Sequence, residues 1–157
     1  MASSSRRPGI LGERGAITWV TALILAMLVG AGYLAVVWIP VWFVHYAATQ
    51  VVRDYGNQAV KNPDDAALVE HMCQKLRTLD TIRVPGPDGR PEARPTVEVA
   101  PQEVTWERDT SAVPPTLHVA FDYHRDVYYP ILDRWTERTM RVDVTMDISR
   151  ADWGPAR

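Results

Sequence analysis

A run of 29 residues without a charged side chain, residues 16–44, constrains this chain more than any other feature of its sequence. An apolar bilayer core of about 30 Å is crossed by about 20 helical residues, because each residue adds about 1.5 Å along the axis. The run therefore suffices for one crossing, and about two further turns must tilt or emerge. A cleaved signal peptide has an apolar region of only about 7–15 residues, so we predict a retained transmembrane helix over residues 16–44.

The basic residues on the two sides of this run are unevenly distributed. Arg6, Arg7 and Arg14 precede it, whereas the next basic residue after it is Arg53. Because flanking segments rich in Lys and Arg stay in the cytoplasm, residues 1–15 are predicted to form a cytoplasmic tail. In a bacterium, the protein would then be a single-pass component of the inner membrane with its C-terminal domain in the periplasm or outside the cell.

Two side-chain patterns recur within the predicted membrane helix. One is a stripe of small residues at every fourth position, namely Thr18, Ala22, Ala26 and Gly30. Small side chains let membrane helices approach closely, so the stripe indicates a face for a membrane protein partner or self-association, or simply the common use of small residues there. The other is an aromatic series, namely Trp38, Trp42 and Tyr46. It predicts an interfacial belt in the lipid bilayer, with a protein-binding ridge as the alternative.

Helical apolar spacing continues beyond the membrane run, through residues 45–60. The apolar positions there are Val44, Ala48, Val51, Val52, Tyr55 and Ala59. They predict one long helix over residues 17–60, whose second half packs on an extracytoplasmic domain formed by residues 61–157. A second helix is predicted over residues 62–79, with Asn62 as its cap and Pro63 at its first position. Cys73, the single cysteine, falls on the apolar face of that helix and is predicted to be a buried small hydrophobe.

After residue 80 the apolar period changes from helical to alternating. The pattern predicts strands over residues 81–84, 96–100, 103–107, 117–123 and 142–148. The Pro- and Gly-rich residues 85–95 are predicted to form a loop, and residues 126–139 a loop that can include a turn of helix. The predicted fold class is α+β, in which the transmembrane helix continues into a small domain and a second helix packs on a four- or five-stranded antiparallel sheet.

The sequence offers little catalytic chemistry. It contains no phosphate-binding glycine loop, nucleophile elbow, zinc motif or calcium loop. From Lys61 onward it carries 13 Lys and Arg against 17 Asp and Glu, and an acidic segment of this kind is a poor fit for nucleic acid. Ionisable side chains on the polar faces of two predicted strands are His118, Asp122, His124, Asp143 and Asp147. Asp122 and His124 could share a metal, but exposed antiparallel faces are normally polar, so we predict no catalytic, cofactor or metal site.

Two resemblances add to these predictions. Arg14 and Gly15, followed by residues 16–20 (AITWV) and a long apolar helix, resemble the N-terminus of type IV pilin-like proteins. This resemblance implies cleavage after Gly15 and fibre assembly through the helix. The chain also resembles a family of small single-pass bacterial envelope proteins with a domain of unknown function. The shared features are Arg14-Gly15, the proline and aromatics of residues 40–46, Val51-Val52 and residues 119–123 (VAFDY). That family implies a membrane-anchored α+β domain with no known activity.

The leading hypothesis is therefore a membrane-anchored, non-enzymatic envelope protein that acts through protein–protein interaction. The second hypothesis is a pilin-like or secretion-apparatus subunit processed after Gly15. The third is a metal-binding or enzymatic periplasmic domain.

Overall fold

The computed structural model describes residues 19–86, 88 and 90–150. Its elements are helix α1 (Trp19–Ala59), helix α2 (Asp65–Arg77), a short 3-10 helix (Pro101–Glu103) and strands β1 (Thr81–Pro85), β2 (Pro91–Pro95), β3 (Thr105–Asp109), β4 (Thr116–Tyr129) and β5 (Arg134–Asp147). The chain divides into two compact units between Ala35 and Val36. The first described unit, 19–35, is helical throughout, and the second, 36–150, holds the remaining elements.

The α+β class is confirmed, but the strands form two sheets rather than one. Strands β1 and β2 pair as an antiparallel hairpin, and β3, β4 and β5 form a separate antiparallel sheet in that order. The described chain has five strands, as the prediction allowed, but they divide between two sheets instead of forming one. Both long strands, β4 and β5, have 14 residues, so their hairpin extends well beyond the short strand β3.

The second half of α1 supplies one side of the hydrophobic core. Ala48, Val52 and Ala59 are almost fully buried among the inward side chains of β4 and β5, and Val51 joins them. Val44 and Tyr55 pack at the edge of the same cluster. The predicted packing of the helix extension is confirmed, because a helix with this spacing must cover its apolar stripe.

Gly56 lies where α1 comes close to a methionine side chain of the sheet. A Cβ atom at this position would lie 1.9 Å from the Sδ atom of Met146 on β5. A glycine costs a helix about 1 kcal/mol relative to alanine, and here it makes room for a core methionine.

Helix α2 begins and ends differently from the prediction. Asp64, rather than Asn62, is the cap, because its Oδ1 accepts a hydrogen bond from the backbone N–H of Ala67 at 3.1 Å. Asn62 instead accepts from the N–H of Asp64, and the helix ends at Arg77 rather than near residue 79. Cys73 is buried on the apolar face, as predicted, and burial raises the pKa of its thiol.

Arg108 of β3 holds the connection between the two helices. Its guanidinium donates to both carboxylate oxygens of Asp65, to the carbonyl of Ala59 at 2.9 Å and to that of Asn62 at 3.1 Å. These bonds satisfy carbonyl groups at the end of α1, which has no basic residue in its last turn. The start of α2 is thereby fixed against the sheet.

Three segments between the main elements differ from the prediction. Residues 85–95 contain strand β2, whose prolines, Pro91 and Pro95, lie at its ends, where a two-stranded sheet tolerates a missing donor. Residues 96–100 are irregular rather than a strand, yet Val97 and Val99 are fully buried, so the alternation reported burial and not sheet pairing.

Residues 126–139 form the end of the β4–β5 hairpin, and the predicted loop over this range was wrong. Pro130 lies in the four-residue turn 130–133, which joins Tyr129 to Arg134. Proline is disfavoured in a central strand but is common in turns, so Pro130 marks the end of the hairpin. Ile131 and Leu132, the two large apolar residues of this turn, are exposed.

Candidate functional site

The structure brings α1 and β4 together at a helix–sheet junction formed by Pro40, Val41, His45, Tyr123 and Arg125. Tyr123 and Arg125 point inward because they continue the alternating inward positions of β4 that begin at Leu117. The partners on α1 lie about 80 residues earlier in the chain. All five residues belong to the unit 36–150.

Arg125 is the charged member of the junction and is only 6% exposed. Its Nη1 atom donates to the backbone carbonyls of Pro40 at 3.3 Å and Val41 at 3.4 Å. Burial lowers the pKa of the guanidinium from its ordinary value, while Tyr123 and Asp80 oppose that shift. A guanidinium remains protonated in proteins, so a full positive charge is held against the helix backbone.

Tyr123 is the aromatic member and is fully buried. Its hydroxyl lies 3.3 Å from Nδ1 of His45, and the two rings stack with centroids 6.3 Å apart. The ring of Trp42 contacts that of His45 edge-on, with centroids 6.1 Å apart. Burial raises the pKa of Tyr123 to about 12, although Arg125 opposes the rise, so the phenol stays protonated at neutral pH.

The raised pKa of Tyr123 makes stability depend on alkaline pH. The unfolded phenol ionises near pH 10 and the folded one near pH 12, so its contribution is complete below pH 10 and is lost as pH rises through 12. We expect the free energy of unfolding to fall by about 3 kcal/mol across this window. The Tyr123→Phe variant should lack that component when denaturant unfolding is measured from pH 8 to 12; an identical slope in both proteins would contradict it.

The ionisable residues predicted on the outer sheet face form pairs across the strands. His118 lies between Asp143, at 3.1 Å, and Glu107, at 3.8 Å, which links all three strands of the sheet. Cross-strand pairs of this kind stabilise register. In the part of the chain that the structure describes, no group of three or more His, Cys, Asp or Glu is arranged to hold a metal ion.

The remaining outer-face candidates are placed apart from that pair. Asp122 lies opposite Arg141, and His124 lies 3.2 Å from the hydroxyl of Thr139 and 3.6 Å from Glu137. Asp147 accepts a hydrogen bond from the N–H of Ser149 at 2.7 Å, and its bonds to Ser149 lower its pKa. These contacts explain each residue as part of the sheet surface or of the turn after β5.

A polar cleft of about 460 Å³ opens beside Arg125. Its charged lining consists of three arginines and four carboxylates, namely Arg77, Arg94, Arg125, Glu98, Glu103, Asp126 and Glu137. Pockets that bind small molecules are mostly apolar with a few convergent polar groups, whereas the lining of this cleft is mostly polar and charged. The two signs of charge nearly balance in this lining.

The predicted membrane residues fall in α1. Ala22, Ala26 and Gly30 are exposed in the described unit 19–35, whereas Thr18 lies outside the described residues. In the second unit, Trp42 and Tyr46 are 61% and 53% exposed, and Trp38 is half-buried. Among the described residues, α1 is the one helix long and apolar enough to cross a membrane.

The sequence prediction missed the junction. One signal was available: extending the alternation of Leu117 and Tyr123 by one step places Arg125 on the inward face. Its partners on α1 could not be found this way, since they depend on how a helix and a strand align in space. No family model, curated protein or solved structure matches the chain.

Proposed function

We propose that this chain is a membrane-anchored, non-enzymatic protein of the bacterial cell envelope that acts by binding other proteins. One observation carries the proposal. The helix that contains the apolar run continues to Ala59, and its C-terminal half supplies core residues of the α+β domain. Such a helix combines an anchor with a structural support, and the residues around its junction are engaged in packing.

The surplus length of the apolar run supports the same interpretation. Val37 and Val41 are buried, so one face of the last turns of the run is covered by protein instead of lipid. The part before them matches the length that one bilayer crossing requires. With arginines at positions 6, 7 and 14, the proposed orientation has a cytoplasmic N-terminus and a periplasmic or extracellular domain.

The proposed contact surface for a membrane partner, or for a second copy of this chain, is the small-residue stripe. Ala22, Ala26 and Gly30 lie on one side of α1 and are exposed, while the large apolar residues Ile24 and Leu28 lie on the opposite side of the helix. Small residues on one face allow close backbone approach, and packing is what drives helix association in lipid.

The two glycines of the membrane helix give a matched test of that surface. Gly30 belongs to the stripe, whereas Gly32 lies about 200° further around the helix, and a side chain at either position meets no atom within 4 Å. We expect Gly30→Leu to reduce a crosslinked complex in native membranes about tenfold, the equivalent of about 1.4 kcal/mol, while Gly32→Leu leaves it unchanged. Equal crosslinking in the two variants would remove the stripe as the contact surface.

The pilin-like alternative is tested separately by the intact mass of the protein extracted from its native membrane. A mass that includes the first 15 residues is expected for a permanent anchor. Loss of residues up to Gly15 would replace the proposal with a processed fibre or secretion-apparatus subunit. Metal analysis of the purified protein addresses the metal-binding version of the third hypothesis, which requires a stoichiometric ion that Asp122→Ala and His124→Ala remove.

A further inference from the structure

The end of the β4–β5 hairpin is an exposed apolar surface. We call it the hairpin tip, comprising the turn 130–133 with Tyr128 and Trp135 on either side. Ile131 and Leu132 are 74% and 69% exposed. Outside α1, four of the five exposed large apolar side chains in the described chain lie in this tip. Clustered exposed apolar residues of this kind mark a surface that contacts another molecule or a membrane.

Contacts within the tip hold the turn and its two flanking aromatic rings together. The rings of Tyr128 and Trp135 pack across the strands with centroids 5.0 Å apart, and the Tyr128 hydroxyl donates to Asp133 at 2.7 Å. The backbone N–H of Leu132 donates to the carbonyl of Tyr129 at 3.1 Å. These contacts give the turn a defined structure, with Ile131 and Leu132 at its apex.

The direction of β4 shows which end of α1 in the unit 36–150 the tip extends toward. Tyr123 contacts His45, and Arg125, two residues further along β4, contacts Pro40 and Val41. The strand therefore runs toward the N-terminal side of the α1 segment that belongs to this unit. The four residues from Asp126 to Tyr129 carry the hairpin roughly 13 Å beyond Arg125.

The same end of this unit exposes apolar side chains of α1. Val36 and Ile39, on the side of Val41 toward which β4 runs, are 72% and 51% exposed. Two elements that are distant in sequence thus present apolar and aromatic side chains at one end of the domain. Tyrosine and tryptophan at such an end are typical of the membrane–water interface, where an apolar ring and a polar group are both satisfied.

We propose that the hairpin tip is a second membrane contact, inserted in the interface of the bilayer that α1 crosses. Ile131 and Leu132 enter the acyl region, while Tyr128 and Trp135 lie among the headgroups. The nearby charges are balanced, since Arg134 and Arg138 accompany Asp133 and Glu137. The contact is therefore apolar and independent of anionic lipid. It rests on the proposed membrane anchor and gives the domain a defined orientation on the membrane.

Site-specific labelling of the full-length protein in lipid nanodiscs tests this contact. Cys73 is 3% exposed, so the unsubstituted protein serves as the unlabelled blank. An environment-sensitive fluorophore at Ile131→Cys is expected to show blue-shifted emission and to be quenched by phosphatidylcholine with brominated acyl chains. The matched control is Val113→Cys in the β3–β4 connection, at the opposite end of β4, where the side chain is 98% exposed. It is expected to show neither effect.

A probe at Leu28→Cys in α1 separates this inference from the proposed anchor. Quenching at Leu28 but water-like emission at Ile131 would overturn the hairpin contact and leave the anchor standing. Absence of quenching at Leu28 would overturn the anchor itself. Blue-shifted but unquenched emission at Ile131 would mean that protein covers the tip, and quenching that requires added phosphatidylglycerol would make the contact electrostatic; either result contradicts the proposal.

Discussion

A chain that begins at Lys61 will not fold, even though it retains α2 and all five strands. It lacks Ala48, Val51, Val52 and Ala59, which cover the inward face of the β4–β5 sheet in the full protein. Burying one valine contributes about 1.5–3 kcal/mol, so the loss approaches the 5–15 kcal/mol that typically separates folded from unfolded domains. The expected result is an absence of a cooperative transition in thermal circular dichroism.

The matched control for this truncation is a chain that begins at Val36, the first residue of the second compact unit. It keeps every core residue of α1 and is expected to unfold cooperatively in mild detergent, which covers Trp42, Phe43 and Tyr46. If the chain that begins at Lys61 unfolds with the same sharpness and midpoint, the helix is an accessory to the domain and not part of its core.

Reversal of the buried charge at position 125 is expected to be the most damaging single substitution at the junction. Arg125→Glu removes two hydrogen bonds and places a carboxylate against the carbonyl oxygens of Pro40 and Val41. An uncompensated buried charge costs roughly 3–5 kcal/mol. For a domain of this size, that loss corresponds to a fall in Tm of roughly 10–20 °C, measurable by thermal unfolding in nanodiscs.

Arg138 provides the control because it lies directly opposite Arg125 on β5 and is exposed. Arg138→Gln should change stability by less than about 0.5 kcal/mol, as is usual for surface substitutions, and it avoids placing a carboxylate opposite the guanidinium of Arg125. Arg125→Met should be much milder than Arg125→Glu, since an apolar chain of similar length needs no carbonyl partner. Equal effects at positions 125 and 138 would show that Arg125 is not held against the helix.

The elements that could be predicted from sequence are those in which a local pattern reports burial directly. The spacing from Val44 to Ala59 predicted the packed half of α1, and the alternation from Leu117 to Tyr123 predicted the centre of β4. The same logic failed at Val97 and Val99, which alternate and are buried without joining a sheet. Burial is encoded locally, whereas hydrogen bonding to a neighbouring strand depends on the rest of the fold.

Segments rich in proline and charge were predicted poorly for a related reason. Strand β2 carries two prolines, two charged residues and one alanine. Its sequence therefore has no local apolar pattern that would predict its pairing with β1. The hairpin tip contains Pro130 and unburied Ile131, which locally indicate a loop with a packed side chain. The junction was out of reach because Arg125 and Pro40 are 85 positions apart.

Hydrogen exchange of the full-length protein in lipid nanodiscs tests the central claim most directly, namely that the anchor helix is also a core helix of the domain. Amide protection over residues 48–59 is expected to match that of the centre of β4 and to be lost with it as denaturant is added. Rapid exchange over residues 48–59 while β4 stays protected would contradict the account, because the helix extension would then be a tether outside the domain.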